Sequence, residues 1–186
     1  MLATRLDTLA EAFEELQPPV LVDYKLDGFR LQIHKKGDKY FFFTRRLENV
    51  YNQFAELKDV LDKSIKENSY IIDTEVIGFD HKTKKYLSFQ HISQRIKRKY
   101  DIEKVAKEIP VVINVFDILY LNGKSLLDEP QRKRREIIQK TVKEIPNKIA
   151  ITKAIVTSDI NEATKFYKQS LKVGNEGVII KNLDKK

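Results

Sequence analysis

The sequence predicts a mixed α+β fold built on largely antiparallel sheets, and three observations predict it. Apolar runs with period-two alternation are joined by short turns carrying Gly, Asn or Asp. Helical-period segments are inserted among those runs at irregular intervals. No repeat and no low-complexity linker interrupts the pattern. The 186 residues suffice for one sizeable domain or two small lobes sharing a cleft, and composition shows no domain break.

Composition narrows the function classes. A net charge of +8 suits a polyanionic partner without naming it. The absence of cysteine excludes disulfides and thiolate metal sites, and His34, His81 and His91 form no zinc spacing. No apolar run reaches membrane-spanning length, and the first residues lack the apolar core of a signal peptide, so an intracellular protein is expected.

The elements follow in order. Leu6, Leu9, Ala10, Phe13 and Leu16 recur at helical spacing, and Thr4 with Asp7 three residues on reads as a capping box. Gln17-Pro18-Pro19 ends that helix. Strands are expected at residues 20–25, 29–36 and 39–45, with Asp27-Gly28 read as a hairpin turn and Gly37-Asp38 as the next turn. In the second strand Phe29, Leu31 and Ile33 face one way, and Arg30, Gln32 and His34 the other. Tyr40-Phe41-Phe42-Phe43 lacks alternation and reads as a strand covered on both faces.

A helix over residues 51–66 carries Phe54, Leu57, Leu61 and Ile65 on its apolar stripe, and a strand over 70–79 closes in a turn at 80–84. Ser88 is expected to cap a basic helix over 89–98, and Asp101 a short one reaching 108. Pro110 precedes a long apolar strand, 111–121, with a turn at Asn122-Gly123. Pro130 opens a helix to about 143 with Ile137 and Ile138 inward. A strand at 149–156, a helix from the Asp159 cap through 172 ended by Gly174, and a strand at 177–182 complete the chain.

Several residues carry chemistry. Lys25 ends an apolar run just before a bend, aimed at one face of a sheet. An amine so placed loses hydration, and a neighbouring cation disfavours its charged form; both make it nucleophilic, although an ordinary strand lysine fits the same pattern. Asp73 and Glu75 share a strand face between Ile71 and Ile77, which calls for solvent, a cation or a ligand hydroxyl unless that face is simply exposed. Arg45 and Arg46 leave a strand within Thr44-Arg45-Arg46-Leu47-Glu48-Asn49-Val50, where a guanidinium fork suits phosphate and a solvated turn is the alternative. Phe116 by itself reads as core. Gly123-Lys124-Ser125 mimics the end of a Walker A loop, but the earlier glycine that loop requires falls on Ile118. Arg95, Arg98 and Lys99 share one helix face, and Arg132, Lys133, Arg134 and Arg135 crowd another; either suits a polyanion or solvent.

The spacing Lys25-x-Asp27-Gly28-x-Arg30 resembles the signature of the covalent nucleotidyltransferases: DNA ligases, RNA ligases and mRNA capping enzymes. Thr44 to Val50, Asp73-Thr74-Glu75, Val115-Phe116-Asp117-Ile118-Leu119-Tyr120-Leu121-Asn122-Gly123 and Glu176-Gly177-Val178-Ile179-Ile180-Lys181 follow in that family's order. Together they resemble the adenylation (nucleotidyltransferase) domain of an archaeal-type ATP-dependent DNA ligase, with Thr74 standing where the family has glycine.

That resemblance implies an ATP-grasp-like fold with a nucleotide cleft. It implies that Lys25 attacks the α-phosphate of ATP and keeps AMP as a phosphoramidate, with Mg²⁺ neutralising developing charge. Asp23 stands where the family reaches the adenine amino group. Arg30 and Arg45 bind phosphate or ribose oxygens, and Phe116 stacks on adenine. Glu75 contacts the ribose and helps place the metal; Glu176 and Lys181 order metal and phosphates, with Lys181 a second cation beside Lys25. AMP then passes to the 5′-phosphate of nicked DNA for sealing by the 3′-hydroxyl. Arg95, Arg98 and Lys99 are the residues expected to grip DNA phosphates.

Members of this family continue with a Lys-x-Lys element and an OB-fold, and the archaeal ones begin with a helical DNA-binding domain. The expectation is therefore an adenylation domain over residues 1–186 without those parts, cytoplasmic and nucleoid-associated, partnered by the missing domains or a sliding clamp. The alternatives are a catalytically inert nucleic-acid-binding module and a related RNA ligase or capping guanylyltransferase. The Arg-Arg-Leu-Glu-Asn-Val and Phe-Asp-Ile-Leu-Tyr-Leu segments oppose the last two.

Overall fold

The computed structural model describes residues 4–80, 82–83, 85–87, 89–97 and 100–185. They form two compact units. The first gathers the chain up to Asp27, residues 130–132 and the chain from Thr152 onward; the second holds residues 28–129 and 133–151. Composition hides this division because each unit is assembled from separated segments of the chain.

In the first unit, α1 (Leu9–Leu16), β1 (Val20–Lys25), β9 (Ala154–Thr157), α6 (Ile160–Lys172) and β10 (Gly177–Asn182) make a three-stranded antiparallel sheet, order β10-β1-β9, with two helices. Strand periodicity sends Val20, Val22 and Tyr24 to one face, where they pack with Phe13 of α1 and with Ala163 and Phe166 of α6. The cap of α1 is Thr8 with Glu11, not Thr4 with Asp7: the Thr8 hydroxyl accepts from the Glu11 N–H at 3.2 Å, and the Glu11 carboxylate accepts from the Thr8 N–H at 3.2 Å. Glutamate, a methylene longer than aspartate, reaches back over the first turn.

The second unit is built on a sheet of order β3-β2-β4-β6-β7, with β2 at Phe29–Lys36, β3 at Lys39–Phe43, β4 at Ser69–Asp80, β6 at Val111–Leu121 and β7 at Lys124–Ser125. β5 (Lys85–Leu87) pairs with β4, and β8 (Ile149–Ile151) runs parallel to β6. Leu31, Ile33, Phe42, Ile72, Val76 and Ile113 line its core face. α2 (Leu57–Ser64) and α5 (Gln131–Thr141) cover that core with Leu57, Leu61 and Ile138, while α3 (Phe89–Lys97) adds Ile92.

Four expectations change here. The helix expected over residues 51–66 is a 3₁₀ turn, Tyr51–Phe54, followed by α2, which stops where Ile65 turns extended at φ −121°, ψ 113°. The strand expected at 149–156 is two strands, β8 in the second unit and β9 in the first. Asp101 precedes α4 (Ile102–Glu108) in the left-handed region and makes no side-chain cap bond. Ser88, the other expected cap, lies outside the described residues. Tyr40 and Phe42 of β3 are buried while Phe41 is 40% exposed, so this strand does alternate; β3 is a sheet edge with one face open.

Asp27-Gly28 is not a hairpin, since β1 and β2 belong to different sheets. Gly28 is required for close approach: a Cβ there would lie 2.7 Å from the Val76 carbonyl oxygen and 2.9 Å from Glu75 Cγ. The glycine lets the start of β2 lie against β4. Gly28→Ala is therefore expected to destabilise the protein by about 2 kcal/mol through overpacking. A urea titration reads the loss, and an unchanged midpoint would count against the close approach. Among the described residues no helix is long and apolar enough to cross a membrane.

Candidate functional site

In the first unit, Leu21, Asp23 and Lys25 alternate onto the face of β1 opposite the helices. Lys25 sits at the strand end with its side chain 47% exposed, and it forms an ion pair with Glu176. The backbone fixes this pairing, because the Lys25 carbonyl accepts from the Glu176 N–H at 2.9 Å. Gly177 stands opposite Lys25 in the ladder at φ +150°, where a Cβ would come within 3.3 Å of the Tyr167 ring.

Lys181 is not beside Lys25. The antiparallel register sets it opposite Leu21, four residues or about 13 Å along the strand from Lys25. There it pairs with Asp23 at 2.6 Å. The neighbour of Lys25 is thus an acid, and the expected second cation is held elsewhere. Asp23 is 2% exposed with its carboxylate engaged by Lys181, so in this structure the residue expected to meet the adenine amino group is committed to another partner.

In the second unit, register collects a polar sheet face. Arg30 stands opposite Glu75, Gln32 opposite Asp73 and His34 opposite Ile71, while Asn114 of β6 stands opposite Glu75. Arg30 donates to Asp73 at 2.7 Å, Gln32 donates to the other Asp73 oxygen at 3.3 Å, and the His34 Nε2 lies 2.8 Å from the Gln32 carbonyl oxygen. Burial pushes the His34 imidazole below its ordinary value, and the Asp73 charge opposes that shift. Asp73 and Glu75 share the face, as expected, yet their surroundings differ. Asp73 is buried and holds Arg30, whereas Glu75 is half-buried. Thr74 points the other way and donates its hydroxyl to the Leu31 carbonyl at 2.7 Å, which accommodates it in place of glycine.

Phe116 occupies an irregularity of β6. Asp117 is opposite Asp73 and Val115 opposite Thr74, which leaves Phe116 as the extra residue of a bulge. Bulges re-aim side chains, and this one takes a half-buried aromatic out of the ladder's alternation. The strand beside it is tied down by Arg134 of α5, whose guanidinium donates to both Asp117 oxygens at 2.8 and 3.2 Å and to the Glu129 carbonyl at 2.6 Å. Arg45 is exposed in the turn after β3, where the Thr44 hydroxyl accepts from the Arg46 and Glu48 N–H groups.

Arg95 corrects the expected DNA-gripping set. It is 1% exposed. It donates to the Gln53 carbonyl at 3.0 and 3.1 Å and to the Ile109 carbonyl at 3.1 Å, pairs with Glu56, and lies 4.5 Å over the Phe54 ring. A guanidinium so committed ties α3 to the Tyr51–Phe54 turn and to the entry of β6, and presents nothing to a phosphate. Arg98 and Lys99 lie outside the described residues.

No group of three or more metal-ligating side chains occurs among the described residues. Glu75 and Glu176 each offer a hard oxygen donor, which suits Mg²⁺, an ion that takes one or two carboxylates together with substrate phosphates and water. Sequence reading missed Gln32, Asp73 as the holder of Arg30, and the Asp117–Arg134 pair. Alternation places the first two on the right face, but only the cross-strand register shows that they meet.

A family model described as ATP dependent DNA ligase domain matches residues 1–186. A DNA ligase of Nanoarchaeum equitans is 46% identical over 184 residues, covering 99% of this chain and 32% of the relative. A DNA ligase of Thermococcus onnurineus is 36% identical over 184 residues, with 99% and 32% covered. The chain thus spans about a third of the length of these curated relatives. Among solved structures, the ligase domain of LigD from M. tuberculosis matches with TM-score 0.64 at 22% identity, over 90% of this chain and 50% of that one. Chlorella virus DNA ligase-adenylate matches with TM-score 0.62 at 18% identity, over 98% of this chain and 59% of that one. These two likenesses show the fold.

Proposed function

The chain belongs to the family of ATP-dependent DNA ligase domains, and from that membership we propose that residues 1–186 form the adenylation domain of a DNA ligase. The observation that carries the reading is Lys25: an exposed amine at a strand end, positioned by backbone bonding beside a carboxylate. In the proposed reaction the Lys25 Nζ forms a bond to the α-phosphorus of ATP and the bond to pyrophosphate breaks. A 5′-phosphate oxygen of nicked DNA then displaces the lysine, giving adenylated DNA. Attack by the 3′-hydroxyl forms the phosphodiester and releases AMP.

The Lys25 ammonium gives up a proton before attack, since an ammonium has no lone pair, and the adjacent Glu176 carboxylate is placed to take it. Arg30, held by Asp73, and Arg45 bind phosphate or ribose oxygens; Phe116 stacks on adenine; Glu75 contacts the ribose. Lys181 is the least direct participant, because its partner is Asp23. Glu75 and Glu176 would each offer a carboxylate oxygen to Mg²⁺, an ion that would supply charge neutralisation on the phosphates when bound. Phosphate contact by Arg98 and Lys99 rests on sequence alone, and further ligase domains are the proposed partners.

Intact-mass measurement after incubation with ATP and Mg²⁺ tests this reading. A gain of one AMP, prevented by EDTA, is expected. A gain from GTP and none from ATP would favour a capping-type enzyme, and no gain from either would contradict the proposal.

A further inference from the structure

We propose that the outer face of the β2–β3 hairpin binds an unpaired DNA strand, with a base stacked on Phe41 and backbone phosphates held by Lys36 and Lys39. This deepens the DNA ligase reading and rests on it. In the hairpin, Gln32 stands opposite Phe43, His34 opposite Phe41 and Lys36 opposite Lys39. Directly opposed residues of an antiparallel pair share a face. That face therefore carries two parallel rows: Arg30, Gln32, His34 and Lys36 on β2, and Lys39, Phe41 and Phe43 on β3.

The opposite parity, Leu31, Ile33, Tyr40 and Phe42, is core. Phe41 is 40% exposed on an edge strand, so it is surplus to that core. Its ring lies parallel to Phe43, with centroids 6.4 Å apart and planes 8° apart, and Phe43 in turn meets His34 edge-on at 4.9 Å. Two rings braced in this way form a platform.

Cations flank the platform at both ends. Lys36 and Lys39 are exposed beside the hairpin turn, and Arg45 and Arg46 are exposed just past Phe43. Among the acids on the same sheet face, Asp73 is occupied by Arg30 and Gln32, and Glu75 stands opposite Arg30. Asp38 in the turn and Glu48 in the following loop leave this surface with an excess of positive charge. A duplex stacks its bases on one another and offers this face only phosphates, for which cations suffice. Aromatic rings interleaved with cations match a strand whose bases are free to stack.

Fluorescence anisotropy of the full chain with a labelled oligothymidylate, and with a duplex of the same length, tests the site. Phe41→Ala is expected to weaken oligothymidylate binding about tenfold while leaving duplex binding unchanged, and Phe41→Trp to retain it. Lys36→Glu with Lys39→Glu is expected to weaken both and to flatten the salt dependence. Oligothymidylate binding that is absent in the wild type, unaffected by Phe41→Ala, or weakened by it no more than duplex binding would overturn the proposal. AMP attachment from ATP, measured on the same variants, separates the two readings. The strand site fails on the anisotropy alone, the ligase reading on a wild type that gains no AMP.

Discussion

Replacing Arg95 with methionine is expected to destabilise the protein by about 3 kcal/mol, a typical cost for removing one member of a buried, hydrogen-bonded charge set. The Gln53 and Ile109 carbonyls lose their donor and Glu56 loses its counter-ion, while the aliphatic stem that packs on Phe54 is kept. A surface arginine that grips DNA behaves in the opposite way, since its loss weakens DNA binding and leaves the unfolding midpoint in place. Chemical denaturation of wild type and Arg95→Met, alongside their DNA affinities, separates the two. An unchanged midpoint with weakened DNA binding would restore Arg95 to the DNA surface.

Lys25→Ala is expected to remove covalent AMP attachment entirely while leaving the fold intact, because the side chain is half exposed and its ion pair with Glu176 lies in solvent. Glu176→Gln has a different signature. It frees the amine from a charged partner but exchanges an anionic carboxylate donor for a neutral amide oxygen, so attachment is expected to persist, more slowly and with a higher Mg²⁺ requirement. Titrating Mg²⁺ against the rate of AMP attachment checks this. A Glu176→Gln variant with wild-type Mg²⁺ dependence would confine Glu176 to pairing with Lys25.

The sequence made β2 legible almost completely, because one buried and one open face imposed apolar–polar alternation from Phe29 to His34. β3 misled for a physical reason. Three consecutive phenylalanines look alike in hydropathy, yet only Phe42 enters the core, and Phe41 stands exposed on the open face of an edge strand. The Asp27-Gly28 pair misled in another way. A glycine needed for a 2.7 Å approach to Val76 is indistinguishable in sequence from one needed for a hairpin turn.

Among the site residues, the position of Lys25 at a strand end and the shared face of Asp73 and Glu75 follow from local periodicity. The partners do not. That Lys181 meets Asp23 and Glu176 meets Lys25 depends on the register of β10 against β1, two strands separated by most of the chain. The burial of Arg95 was hidden for a similar reason: its acceptors are backbone carbonyls of Gln53 and Ile109, and carbonyls carry no sequence signal.

Peptide mapping by mass spectrometry after reaction with ATP and Mg²⁺ addresses the covalent chemistry at one residue. AMP is expected on the peptide bearing Lys25, and none on that peptide when EDTA is present. AMP on Lys181 or on another lysine, or a folded protein that binds ATP and carries no adduct, would contradict the assignment of Lys25 as the nucleophile.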